Sequence, residues 1–111
     1  MADSERHRRI AVNETRFREI NDRLAQAMGN LRHPPEHIDF VCECANLDCR
    51  TQITLTRDEY EQVRADSQTF AVAAGHEIPD AEDVIARHEH FLTIRKHEDV
   101  REITSATDPR K

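Results

Sequence analysis

The chain has no tryptophan, one tyrosine (Tyr60), four phenylalanines and two glycines in 111 residues. Each scarcity removes a possibility. Gly29 and Gly75 stand too far apart to build a glycine-rich phosphate loop. Hydrophobic residues make up 37% of the chain and charged residues 34%, so the available core is thin. A domain this small buries a modest fraction of its surface and gains from a staple. No apolar run approaches about 18 residues, which excludes a membrane-spanning helix, and the N-terminus lacks the apolar stretch of a signal peptide. A cytoplasmic protein with no membrane partner is expected. Catalytic motifs are missing as well. His76-Glu77 is followed by Ile78-Pro79-Asp80 rather than a second histidine, so there is no His-Glu-x-x-His. Val41 stands before the first cysteine, where a zinc deaminase would carry proline. No catalytic residue and no small-molecule substrate are read, and the chain is expected not to be an enzyme. A zinc-dependent hydrolase is the minor alternative.

What the chain does have is three cysteines within eight residues: Cys42, Cys44 and Cys49. An odd count leaves a thiol over, and Cys42 and Cys44 are too close to bridge without strain. In a reducing compartment, clustered thiols favour metal over disulfide. On extended backbone, residues i and i+2 face the same way, so Cys42 and Cys44 can aim at one ion, with Cys49 returning from the turn. One Zn2+ per chain is expected, held in a tetrahedron by three thiolates and a histidine; iron accepts the same donors. Three thiolates quench the metal's Lewis acidity, and a fourth ligand closes the site. Among seven histidines, His76 leads because Gly75 frees the backbone before it. His37, five residues before Cys42, and His90 are the alternatives.

The formal charge is −6, unevenly spread. Residues 1–37 carry seven arginines against six acids, and residues 38–111 carry nine Lys/Arg against sixteen acids. The acidic body argues against gripping a phosphate backbone. The short basic cluster Arg6, Arg8 and Arg9, which Arg16 would extend in a nucleic-acid-binding reading, is the one nucleic-acid-like feature, and it reads first as the solvated first turn of a helix.

Residues 4–31 read as one long helix capped by Ser4. Ile10, Phe17, Ile20, Leu24, Ala27 and Leu31 form a narrow seam, with Asn13 at its missing position. Such a seam suits a coiled-coil dimer whose polar residue fixes register, or a helix laid on its own domain; both stay open. Pro34-Pro35 ends the helix. Residues 1–33 are thus read as the N-terminal helix, 34–37 as a hinge, 38–104 as a zinc-binding α+β domain and 105–111 as a flexible tail. Within the body, strands are expected at 38–41 and 51–55, forming a β-hairpin whose turn is the zinc knuckle. Thr56 with Glu59 spells a capping box for a helix of about ten residues that turns Tyr60 and Val63 inward. A strand at 69–72 follows, then a tight loop at Gly75-His76. A second helix capped by Asp80, with Val84 and Ile85 inward, comes next, then a strand at 91–94. Val100 and Ile103 are placed on a last strand. The fold class is α+β: a long N-terminal helix and a small zinc-pinned mixed body.

The stretches FVCECANLDC, ITLTRDEYEQVRAD and FAVAAGHE and the terminal TDPR resemble a group of short bacterial proteins of actinobacterial type. That group shares Cys-Glu-Cys, a third cysteine, a Leu-Thr-x-x-Glu-Tyr helix and a Gly-His-Glu loop. The resemblance spans roughly residues 10–109. It implies Cys42, Cys44, Cys49 and His76 as one metal set, with Glu77 beside it.

These features lead to a zinc-stabilised regulatory or adaptor protein whose 4–31 helix docks a protein partner or pairs with a second copy. The alternatives are a thiol-based redox or zinc sensor and a nucleic-acid-binding protein that uses the arginine cluster. Asp48 and Glu43, flanking the thiols, are expected to raise their pKa values.

Overall fold

Thr56 turns the chain from strand to helix. Its Oγ1 accepts the Glu59 N–H at 3.0 Å while Glu59 Oε1 accepts the Thr56 N–H at 2.8 Å. Both free amides of the helix start are thereby satisfied. This computed structural model describes residues 2–79 and 81–97, with side chains from residue 5 onward. The elements are α1 (Ala2–Gly29), β1 (His37–Val41), β2 (Gln52–Thr56), α2 (Arg57–Arg64), β3 (Thr69–Val72), β4 (Glu82–Arg87) and β5 (Leu92–Lys96). The class is α+β, a long N-terminal helix followed by a small body of antiparallel strands and one helix. The expected last strand at Val100 and Ile103, the 105–111 tail and the cap at Asp80 lie outside the described residues.

β1 and β2 form the expected antiparallel hairpin, with Phe40 opposite Ile53 and Ile38 opposite Leu55. The alternating residues Ile38, Phe40, Ile53 and Leu55 are buried on one face, while Asp39 and Thr54 pair on the other. The buried set packs with Tyr60 and Val63 of α2, Ala25 of α1 and Phe91. Phe40 stacks on Tyr60 with ring centroids 4.5 Å apart. Burial of each such side chain stabilises the fold by about 1.5–3 kcal/mol. A second cluster joins Phe70, Val72, Leu92 and Ile94 to the thiols of Cys42 and Cys44. It lies on a three-stranded antiparallel sheet of order β3-β5-β4.

Two expectations are overturned. Residues 82–87 form the strand β4 and not a helix, so the body is ββαβββ. Burial alternates with the strand period, and a bulge between Val84 and Ala86 leaves Ile85 facing outward, 51% exposed. Consecutive β-branched residues suit a pleated surface better than a helix. His88 to His90 accordingly sit in the turn between β4 and β5, not at a helix end. The helix α1 already runs from Ala2, so Ser4 lies within its first turn rather than capping it.

Helix α1 packs against its own body, rotated away from the apolar seam. Ile10 and Phe17 are buried, but Ile20 is 50% exposed and Ala27 and Leu31 face outward. The inward line is Ala11, Glu14, Arg18, Asn21 and Ala25, spaced three and four apart on one helical face. These polar groups find partners. Arg18 donates to the Thr69 carbonyl at 2.6 Å and its guanidinium covers the Phe70 ring at 3.6 Å. Asp22 receives Arg64 at 2.8 and 3.0 Å. Lys96 of β5 reaches Glu14 at 2.5 Å and Glu82 at 2.8 Å, all three side chains being inaccessible to solvent. At the far end, Arg57 lies over Gly29, where a Cβ would come within 2.7 Å of its guanidinium.

Candidate metal centre

The knuckle is the connection from β1 to β2. It continues the hairpin as far as the Cys42 N–H, which donates to the Thr51 carbonyl at 3.1 Å. Asn46 then makes the turn: its Oδ1 accepts the Asp48 N–H at 3.0 Å and its carbonyl the Cys49 N–H at 3.0 Å. The first bond is an Asx turn and the second closes a backbone β-turn. They fold Cys49 back towards Cys42 and Cys44.

The histidine arrives on a separate loop after β3. Gly75 has φ +90°, a conformation glycine adopts without steric cost. The His76 N–H closes the turn on the Ala73 carbonyl at 3.0 Å, and Glu77 Oε1 accepts the Gly75 N–H at 2.7 Å. Glu77 therefore stands beside the site as a brace for the loop that carries the imidazole.

The two loops bring Cys42, Cys44, Cys49 and His76 together, with one ligand atom from each lying within 4.8 Å of all the others. His76 Nδ1 is 3.5 Å from Cys42 Sγ and 3.6 Å from Cys49 Sγ. Cys42 Sγ also accepts the Ala73 N–H at 3.2 Å, which ties the two loops at the sulfur itself. Cys42 and Cys44 are buried and Cys49 is half-buried. These four residues could hold a metal ion, and they are the only such group among the described residues. His37 and His90 are not part of it. His37 opens β1, paired with Thr56 at the end of the hairpin away from the knuckle. His90 is an exposed turn residue 3.9 Å from Glu89.

A hydrogen bond to Cys44 and then burial push the Cys42 thiol up, while the bond from Cys42 holds Cys44 down at about 5 against its own burial. The Cys42 thiol is raised, as expected, but by Cys44 and burial; neither Glu43 nor Asp48 is among the causes of either shift. Glu43 does not flank the sulfurs. It points the other way, fully buried, into the junction of α1, α2 and β3. Its Oε1 accepts the Ala71 N–H at 3.0 Å, and its Oε2 accepts Asn21 Nδ2 at 2.8 Å and the Tyr60 hydroxyl at 3.1 Å. Burial raises its carboxyl, opposed by Arg18 and these hydrogen bonds. This buried role is one that reading the sequence misses. The one signal for it is its place between two cysteines, since a strand that aims both thiols one way must aim Glu43 the other.

A surface cleft of about 370 Å3 opens beside the cluster, between Cys44 to Asn46 and Gly75 to Ile78. No helix among the described residues is long and apolar enough to cross a membrane. No protein-family model, curated protein or solved structure matches the chain.

Proposed function

We propose that the chain is a zinc-binding, non-enzymatic regulatory or adaptor protein with a closed, structural Cys3His centre formed by Cys42, Cys44, Cys49 and His76. One observation carries the reading. Zinc–sulfur bonds of about 2.3 Å and zinc–nitrogen bonds of about 2.0–2.1 Å, meeting at the tetrahedral angle, separate sulfur from nitrogen by about 3.6 Å. The His76 Nδ1 to Cys42 and Cys49 spacings of 3.5 and 3.6 Å match that edge. Thiolate with imidazole is also a donor set zinc prefers. The ion would pin the β1–β2 knuckle to the loop after β3, adding to the Ala73 N–H bond that already ties Cys42 Sγ to that loop. Native mass spectrometry of the purified chain tests this. One zinc per chain, lost or weakened in His76→Ala, supports it; a metal-free wild type, or a variant that keeps its zinc unchanged, overturns it.

Partner docking falls to the outer face of α1, because Ile10 and Phe17 are committed to the body. Ile20, between Arg16 and Arg23, is its exposed apolar point. A native dimer that Ile20→Asp splits supports pairing with a second copy through this face; a monomer at high concentration removes that pairing.

A second reading, a thiol-based redox sensor, is favoured by Cys49, half-exposed where its neighbours are buried. A peroxide that takes two electrons from Cys49 and Cys44 thiolates, with two protons, leaves a disulfide and two waters and releases the ion. Metal retained under mild peroxide removes this reading.

A further inference from the structure

We propose that Glu43 couples occupancy of the metal centre to the docking of helix α1, so that zinc binding clamps the helix to the body and zinc loss loosens it. The inference rests on the Cys3His reading and assigns that site a regulatory consequence.

Residues 41–45 are held on two sides. On one side, Cys42 and Cys44 belong to the metal cluster. On the other, α1 takes hold of the same short segment along its backbone. Asn21 Oδ1 accepts the Val41 N–H at 2.9 Å, and Asn21 Nδ2 donates to the Val41 carbonyl at 2.8 Å and to Glu43 Oε2 at 2.8 Å. Asn13 Nδ2 donates to the Ala45 carbonyl at 3.0 Å, one residue past the second thiol. The polar position in the helix's apolar seam is thus used against the knuckle.

Glu43 is the group placed to carry a movement of the thiols to the helix, although its N–H is also held by the Ala71 carbonyl at 2.9 Å. It lies between two ligands, and its side chain is tied at once to α1 through Asn21, to α2 through Tyr60 and to β3 through Ala71. The Tyr60 hydroxyl also stands 2.8 Å from Asp22 of α1, so its one proton is shared between the two carboxyl groups. Without the cation, the three sulfurs and the imidazole keep only their mutual hydrogen bonds and the Ala73 N–H bond to Cys42, which hold them less firmly than an ion does. Relaxation of the two flanking cysteines then displaces the Glu43 backbone. A buried carboxylate that loses its donors is costly, so the segment and the helix respond together.

The composition of the α1 interface suits a reversible dock. Glu14, Thr15, Arg18 and Asn21 are buried there beside Ile10, Ala11, Phe17 and Ala25. A helix held largely by polar pairs exposes less apolar surface on release than one held by an aliphatic stripe. The contacts of Glu14 with Lys96 and of Arg18 with Thr69 do not pass through the knuckle, and they keep the loosened helix tethered. Binding free energies are reciprocal, so what loosens the helix must also weaken the metal.

The test is hydrogen–deuterium exchange on the full chain, zinc-loaded and zinc-stripped, together with zinc affinity by chelator competition. The proposal expects amides of residues 10–25 to exchange at least severalfold faster without zinc while β4 and β5 stay protected. Asn21→Ala, which alters no ligand and removes the bonds to Val41 and Glu43 beside them, should lower zinc affinity by about tenfold, the usual size of such support around a metal. Glu43→Gln offers one carbonyl oxygen in place of two carboxylate oxygens and sets an amide donor against Asn21 and Tyr60. It should bind zinc while α1 exchange ceases to follow it. Zinc bound by the wild type with α1 exchange unchanged on stripping overturns the coupling and leaves the metal centre standing. Loss of protection in every element at once also overturns it, because the ion would then support the whole fold rather than the helix. A wild type that binds no zinc fails the metal reading itself.

Discussion

Asn21 holds Val41 by both of its backbone groups: the amide oxygen accepts the Val41 N–H at 2.9 Å and the amide nitrogen donates to the Val41 carbonyl at 2.8 Å. A side chain of α1 thereby completes the hydrogen bonding of β1 at the point where the strand enters the cysteine knuckle. Asn21→Leu keeps the bulk and removes both bonds, leaving part-buried backbone groups without partners. The expected cost is about 1–3 kcal/mol, read as a lower urea midpoint of the zinc-loaded chain. A loss below about 0.5 kcal/mol, the level of a neutral surface change, would contradict it.

The Glu14–Lys96–Glu82 group places one ammonium between two carboxylates with no access to water. Burial disfavours the charged Lys96, but Glu14 and Glu82 together outweigh it and raise its pKa. At a pH where both carboxyls are ionised, Lys96→Met would strand them, and the expected destabilisation there is about 3–5 kcal/mol. A near-neutral variant by chemical denaturation would show that the group is not formed as described.

The same group sets a pH dependence. Burial, helped by Glu82 and opposed by Lys96, holds the Glu14 carboxyl well above its ordinary value near 4.5. A carboxyl raised in the folded state favours folding while protonated. Its contribution is full below about 4.5 and is lost as the pH climbs through the raised value. Glu14→Gln cannot ionise and escapes that loss. Relative to wild type, the variant should therefore gain stability as the pH rises above about 4.5. A difference between the two proteins that stays constant across that range would contradict the assignment.

Thr56→Ala removes one half of a capping box whose two bonds are 3.0 and 2.8 Å. About 1 kcal/mol of stability should go with it. Thr54→Ala, which loses only an exposed bond to Asp39, should stay within about 0.5 kcal/mol of wild type. Equal effects in thermal unfolding would mean that the cap does not hold α2.

Features written in local code are legible in the amino-acid sequence. The alternation of Ile53 and Leu55, the Thr56–Glu59 pair and the Gly75-His76 step each use two or three neighbouring residues. The hydrogen bonds of the last two close within the same segment. The convergence of Cys42, Cys44 and Cys49 with His76 follows from donor chemistry and the glycine before the histidine. The docking face of α1 is not legible, because Glu14, Arg18 and Asn21 look like a solvated surface until Lys96, Thr69, Val41 and Glu43 are brought to meet them. The seam through Ile20 and Ala27 misleads for the same reason: the strongest partners of this helix are polar and lie far along the chain. Strand β4 escapes a local reading because acidic residues and Ala86 lend its segment a helical look, while its pairing with β5 is set by residues further on.

The central claim concerns the donor set, and X-ray absorption at the zinc edge of the metal-loaded chain tests it most directly. The Cys3His centre predicts a shell of three sulfurs at about 2.3 Å and one nitrogen at about 2.0–2.1 Å. A shell with fewer than three sulfurs, or with light atoms in the majority, would contradict it.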